Sequence, residues 1–145
     1  MKNNIIIYTD GACHGNPGPG GWGVVILNDD IKKNIEISGN SPATTNNIME
    51  LTAAIKGLEY FTTRQRITLY TDSNYMKLGI TNWINIWKTN KWLNSKRKSV
   101  KNKDLWLKLD YLNSFHNIDW KWVKSHDGNV YNERADYLAT NAILN

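Results

Sequence analysis

Two runs of β-forming residues in this chain end in the same tripeptide. Residues 5–10 read IIIYTD, residues 67–72 read ITLYTD, and between them lies IMELTAAIKGLEYF, apolar at helical spacing. A strand–helix–strand passage of this length favours parallel pairing of its two strands. Parallel neighbours would carry Asp10 and Asp72 to the same edge of one sheet. Either aspartate alone reads as readily as a turn or cap residue, because Asp suits both roles. The pair fits that reading less well.

Around this unit the remaining pattern is that of a mixed sheet. Asn4–Thr9 is the predicted first strand, Gly21–Leu27 the second after a Gly/Pro turn, and Lys33–Ser38, alternating KNIEIS, a half-exposed third. Short connections make these three an antiparallel meander. SPATTNN supplies turn and N-cap chemistry before the long helix, and Ile67–Thr71 is the fourth strand. Residues 74–91 are helical in pattern, with Ile80 and Ile84, and Trp83 and Trp87, four apart. A further helix covers Lys103–Phe115, Ile118–Val123 alternates as a fifth strand, and NERADYLATNAI closes as an amphipathic helix. The expected class is α/β: a five-stranded mixed sheet, the first three strands antiparallel and the fourth and fifth added in parallel, flanked by helices. With 145 residues, no repeat and no linker, residues 1–145 are expected to form one domain.

The net charge of +5 is unevenly placed. Residues 88–108 carry eight Lys or Arg against Asp104 alone, which leaves ten basic and twelve acidic residues elsewhere. A basic protrusion around residues 88–103, set beside tryptophans, points to a polyanion, nucleic acid first; a solvated lysine-rich loop reads equally well from charge alone. Cys13 is the only cysteine, which excludes an internal disulfide and a cysteine-based zinc cluster. No apolar run is long enough to span a bilayer, and the N-terminal one meets Asp10 too early for a signal peptide. The expectation is a cytoplasmic monomer with no membrane partner.

Four carboxylates stand out by position. Asp10 and Asp72 end the first and fourth predicted strands, Glu50 opens the long helix, and Asp136 lies in the first turns of the last one. Each has a structural excuse, since acids near helix N-termini favour the macrodipole. Brought together they would repel one another, and YTDG, NIMEL and YTDS contain no basic partner, although Arg134 lies close to Asp136. Hard cations with oxygen ligands answer that problem, and Mg²⁺ suits carboxylate-plus-phosphate sites. Two such ions about 3.5–4 Å apart activate water and stabilise the leaving oxygen in phosphodiester hydrolysis. His126, in the loop VKSHDGN ten residues before Asp136, is placed for a general base or proton shuttle, and its spacing is poor for zinc. Gly15–Gly23 lacks the G-x-x-x-x-G-K-[ST] pattern and joins two strands, so it reads as a turn rather than a nucleotide-phosphate loop.

The motifs YTDGACHGNPGPGGWG, TTNNIMELTAAIKGL, YTDSNY, GITNWI, KNKDLW and WVKSHDGNVYNERAD follow one another from about Ile5 to the end of the chain. In that order they resemble bacterial-type ribonuclease H of the type 1 class (ribonuclease HI). The resemblance implies the ribonuclease H-like fold, Mg²⁺ (or Mn²⁺) as cofactor, two ions with substrate bound, and endonucleolytic cleavage of the RNA strand of RNA–DNA hybrids. It assigns metal binding to Asp10, Glu50, Asp72 and Asp136, and the mobile-loop histidine to His126. It places Cys13, Asn16, Asn46, Asn47 and Asn74 against the RNA strand, Thr45 and Asn102 at a DNA phosphate, and Trp83 and Trp87 in the DNA-side channel. The lysine-rich segment resembles the basic protrusion of bacterial members. The family's hybrid-binding extension is expected to be missing, because Met1 lies just before the first strand. Acids with metals imply attack by water rather than by the ribose 2′-OH, hence 5′-phosphate and 3′-hydroxyl ends.

Three residues depart from the family pattern. Ala43 and Ile48 stand where relatives commonly carry basic residues, and Asp127 adds a carboxylate beside His126. Asp127 is expected to favour the protonated imidazole or to tune release of metal and product. Trp83 and Trp87, four apart on a helix, also read as partly core. A catalytically silent nucleic-acid binder is the rival of another class; intact acids at all four family positions weigh against it. Proofreading-type exonucleases carry a D-x-E motif, whereas Asp10 is followed by Gly11 and Ala12. Integrase-like enzymes share the fold but place their acids differently along the chain.

Overall fold

In this computed structural model, which describes residues 5–28, 33–124 and 128–144, the sheet is built outward from β1 (Ile5–Cys13). One edge of β1 pairs antiparallel with β2 (Gly18–Asn28), which pairs antiparallel with β3 (Lys33–Thr44). Its other edge pairs in parallel with β4 (Arg66–Thr71), which pairs in parallel with β5 (Asn117–Trp122). The order is β3-β2-β1-β4-β5, the mixed five-stranded sheet that the sequence pattern predicts.

Strand alternation sends the two faces of β1 into different layers. Ile5 and Ile7 join the main core with Val24, Ile26, Ile67 and Leu69, covered by α1 (Asn46–Glu59) and α4 (Lys103–Phe115). Leu51, Ala54 and Leu58 of α1 and Trp106 and Leu109 of α4 are fully buried there. Tyr8 faces the opposite layer with Val25 and Ala135, under α5 (Val130–Ala142). Among the described residues no helix is long and apolar enough to cross a membrane.

The structure departs from the sequence expectation at element ends. β1 runs on to Cys13 and β2 begins at Gly18, because a hairpin ladder reaching Cys13↔Gly20 continues well past the end of the parallel pairing at Tyr8↔Tyr70. β3 continues through Ser41–Thr44, which the sequence suggests is a turn. The register passes from Gly20↔Ser41 to Gly18↔Thr44, so two residues bulge opposite one, and Pro42 is accommodated there on an edge strand. The helical stretch from Asn74 is interrupted: α2 (Asn74–Leu78) and α3 (Ile84–Thr89) flank a π-helical turn, Gly79–Trp83. Trp106 explains the glycine at that turn, since a Cβ on Gly79 would lie within 2.6 Å of three of its ring atoms.

Candidate active site

Asp10 lies within β1, not at its end as the sequence suggests, at the point where β4 has stopped and β2 alone continues beside it. Asp72 is the first residue beyond β4. Glu50 comes from the first turns of α1, whose N-cap Thr45 accepts the Ile48 N–H through Oγ1 at 3.2 Å. The α1 backbone at Met49 and Glu50 packs against Gly11 so closely that any side chain there would collide with it. Glycine at position 11 is therefore what lets Glu50 approach Asp10. One carboxylate oxygen from each of Asp10, Glu50 and Asp72 lies within 4.8 Å of the others. The fourth acid, Asp136 on α5, is hydrogen-bonded through its side chain to Asp10.

This crowding is electrostatically costly. Burial, then the Asp72 charge, then the hydrogen bond that the protonated Asp10 donates to Asp136 push the Asp10 carboxyl up to about 8. Burial followed by the charges of Asp10 and Asp72 holds Glu50 well above its ordinary range. Among the described residues the Gly11 N–H, 2.9 Å from Asp10 Oδ1, favours the ionised form of both. Glu50 Oε1 is buried and has no hydrogen-bond partner among the described residues. Arg134 gives no relief, because it is committed to Glu36 at 2.6 and 2.8 Å. Among the described residues no ion pair involves any of the four acids. A set of hard oxygen donors, mutually repelling and with one orphaned buried oxygen, fits a divalent cation of the Mg²⁺ or Mn²⁺ kind.

The other candidate positions fall into two groups beside the acids. Asn16 Oδ1 accepts the Asn46 N–H at 3.0 Å, which ties the β1–β2 turn to the start of α1. Cys13 Sγ is 3.4 Å from the carbonyls of both Gly18 and Thr44. Asn46, Asn47 and Asn74 are solvent-exposed, the last at the start of α2 behind its cap Ser73. Trp83 and Trp87 are half-buried, 5.9 Å apart between ring centroids, in a cluster with Tyr75, Trp92 and Trp106. They belong to the core on one side and reach solvent on the other. Asn102, at φ 60°, donates through Nδ2 to the Tyr75 hydroxyl at 3.0 Å, and Trp106 Nε1 donates to the same oxygen at 3.1 Å.

The basic segment is a structured loop. Asn94 Oδ1 accepts the backbone N–H groups of Lys96 at 2.9 Å and Lys98 at 3.1 Å, Leu93 bridges Ser99, and Val100 is buried. Lys91, Lys96, Arg97, Lys98 and Lys101 remain exposed, while Lys88 pairs with Asp110 at 3.0 Å.

The ribonuclease H family model matches residues 2–144. The chain belongs to the ribonuclease H family. It is 57% identical over 143 residues to the ribonuclease H of Wolbachia pipientis wMel, covering 99% of this chain and 97% of that protein. Identity to the Ehrlichia canis ribonuclease H is 55% over 141 residues, with 97% and 95% covered. The solved structure of LC9-RNase H1, described as a type 1 RNase H with the type 2 active-site motif, superposes with a TM-score of 0.84 at 30% identity, over 96% of this chain and 71% of that one. LC11-RNase H1, solved in complex with an RNA/DNA hybrid, superposes with a TM-score of 0.65 at 27% identity, with 96% of each chain covered.

In this ribonuclease H, His126 and Asp127 lie outside the described residues. Two contributors to the site are not apparent from the motifs alone. Gly11 appears in the sequence only as the residue after Asp10, yet its role is the close approach of α1. Asn129 caps α5 through Oδ1, accepting the N–H groups of Tyr131 at 3.1 Å and Asn132 at 2.9 Å. The polar residue ahead of an amphipathic helix was the available signal.

Proposed function

We propose that this ribonuclease H hydrolyses the RNA strand of RNA–DNA hybrids with the help of two divalent cations, leaving 5′-phosphate and 3′-hydroxyl ends. The observation that carries the reading is the meeting of Asp10, Glu50 and Asp72 within 4.8 Å, with Asp136 bonded to Asp10. Mg²⁺ bound there supplies an activated water and charge stabilisation at the phosphate. The four carboxylates hold the metal, and Asp10 and Glu50, whose carboxyls are pushed up, must give up protons to do so, which couples loading to proton release. One chain supplies all four, so a monomer suffices.

The surrounding side chains position the substrate in this reading. The exposed amides of Asn16, Asn46, Asn47 and Asn74 donate or accept at the RNA strand, where the 2′-OH distinguishes it from DNA. Cys13 lies beside them. Thr45 and Asn102 take a DNA phosphate, and the outer edges of Trp83 and Trp87 meet the DNA strand. The exposed cations of residues 91–101 neutralise backbone phosphates. His126 moves a proton at the leaving oxygen or assists product departure.

End-labelled hybrid, duplex DNA, duplex RNA and single-stranded RNA, each incubated with Mg²⁺, Mn²⁺ or EDTA, test the proposal. The expected result is metal-dependent cutting of the hybrid's RNA strand, with 5′-phosphate ends by mass spectrometry. Cyclic 2′,3′-phosphate ends, or equal cutting of duplex DNA, overturn it.

A further inference from the structure

Tyr8 stands two residues before Asp10 on β1, and Tyr70 two residues before Asp72 at the end of β4. The two tyrosines are register partners, the last pair of the parallel ladder. Their rings stack with centroids 4.6 Å apart and planes 8° from parallel. Cross-strand aromatic pairs fix local register, and this one is the last rung of the β1–β4 ladder, two residues before each carboxylate.

The same stack reaches α5. The Tyr131 ring lies 5.5 Å from that of Tyr8. The Asn129 side chain hydrogen-bonds the Tyr8 hydroxyl. Because Asn129 Oδ1 is already occupied by the N–H groups of Tyr131 and Asn132, its amide NH₂ is the group left to donate to Tyr8. The N-cap of α5 is thus tied to β1, and Asp136, about two turns further along that helix, is bonded to Asp10. These tyrosines form a small cluster with Val25 and Ala135 that is separate from the main core under α1 and α4. Its loss would leave that core in place.

We propose that Tyr8, Tyr70 and Tyr131, with Asn129, are positioning residues that fasten the start of α5 to the middle of β1 and the end of β4 and so hold Asp136 against Asp10 and Asp72. The inference rests on the reading of those acids as the metal site. It extends that reading to residues that touch neither metal nor substrate.

The test compares Tyr70→Leu, Tyr131→Leu and Tyr70→Phe by calorimetric titration of Mn²⁺ into the chain without nucleic acid, and by kcat and KM on hybrid. Each leucine variant should weaken Mn²⁺ binding by about tenfold and lower kcat by a similar factor, the scale of lost support around a metal site. KM should stay within about twofold of wild type, and Tyr70→Phe, which keeps the stack, should restore both quantities. Wild-type Mn²⁺ affinity and kcat in folded Tyr70→Leu overturn the proposal, as does a Tyr70→Phe variant as impaired as Tyr70→Leu. If Tyr70→Leu does not fold, Tyr131→Leu, at a half-buried position, decides by the same criteria. A wild-type chain that binds Mn²⁺ but leaves hybrid uncut defeats the proposed function, and the Mn²⁺ comparison still decides the role of the stack.

Discussion

At Asp10, β1 has lost β4 as a neighbour and keeps only β2, so the carboxylate sits in regular strand yet is open on the side where Asp72 and Glu50 arrive. Asp10→Asn preserves that shape and removes one charged donor. Turnover should fall by more than the roughly 100-fold associated with changes outside the metal's own ligands, with the circular dichroism spectrum unchanged; Mg²⁺-dependent cleavage near the wild-type rate by the purified variant would remove Asp10 from the site. His126→Ala should lower kcat by about 10–10³-fold with little change in KM, measured under single-turnover and steady-state conditions, and a wild-type rate makes it a spectator. The identity of the acids is legible in the sequence, because each belongs to a short motif at a predicted strand or helix end. The exact setting of Asp10 is not, since a strand's end is decided by its partners and β1 has two partners that stop at different residues.

Elements were most legible where local pattern and packing agree. The helix Lys103–Phe115 has the expected bounds, with Trp106, Leu109 and Leu112 on its buried side. The π-helical turn at Gly79–Trp83 left no mark in the four-residue spacing of Ile80 and Ile84, because the apolar stripe runs on through it. The alternation KNIEIS ends the predicted third strand at Ser38 and SPATTNN reads as turn and cap, whereas β3 runs on through Pro42, which an edge strand with a bulge opposite β2 tolerates. The basic loop shows the reverse case: charge alone left it between a solvated loop and a binding surface, and its fold shows an ordered platform around Asn94. Replacing Lys96, Arg97 and Lys98 with alanine should weaken hybrid binding and make log Kd less salt-dependent, with the slope reduced by up to about 3 if each contacts a phosphate. kcat at saturating hybrid should change much less. Fluorescence anisotropy across a salt series measures the slope, and an unchanged one returns the loop to a solubility role.

For the molecule as a whole, two buried titrating sites oppose each other. His116, buried and invisible to motif reading, accepts the Gln65 N–H at Nδ1 and lies 3.0 Å from the Leu58 carbonyl through Nε2, so a neutral imidazole at the end of α4 ties that helix to α1 and to the residue before β4. Burial, opposed by the Leu58 carbonyl and aided by Arg64, holds it below its ordinary 6.5. The unfolded chain therefore binds this proton more readily than the fold, and the His116 contribution, complete above 6.5, is lost as pH falls from there through the folded value. Asp10 and Glu50 act in the other direction. Their folded values are raised, Asp10 to about 8, so their contribution is complete below the ordinary carboxylate range and is lost as pH rises through the folded values. Metal ligation reverses the second effect, because the ion binds the ionised acids and only in the fold, stabilising by RT ln(1 + [L]/Kd) with a Kd that tightens as protons leave. Above pH 6.5, where the His116 contribution is complete, the melting temperature in EDTA should accordingly fall as pH rises towards 8, and below 6.5 the two effects oppose each other. The gap between Mg²⁺ and EDTA curves should widen steadily from pH 5 to pH 9. Asp10→Asn should flatten that fall in EDTA and shrink the gap, and His116→Asn should remove the opposing effect below pH 6.5 while leaving the gap unchanged. Parallel Mg²⁺ and EDTA curves across the pH range would show that the four acids are not held together by a cation.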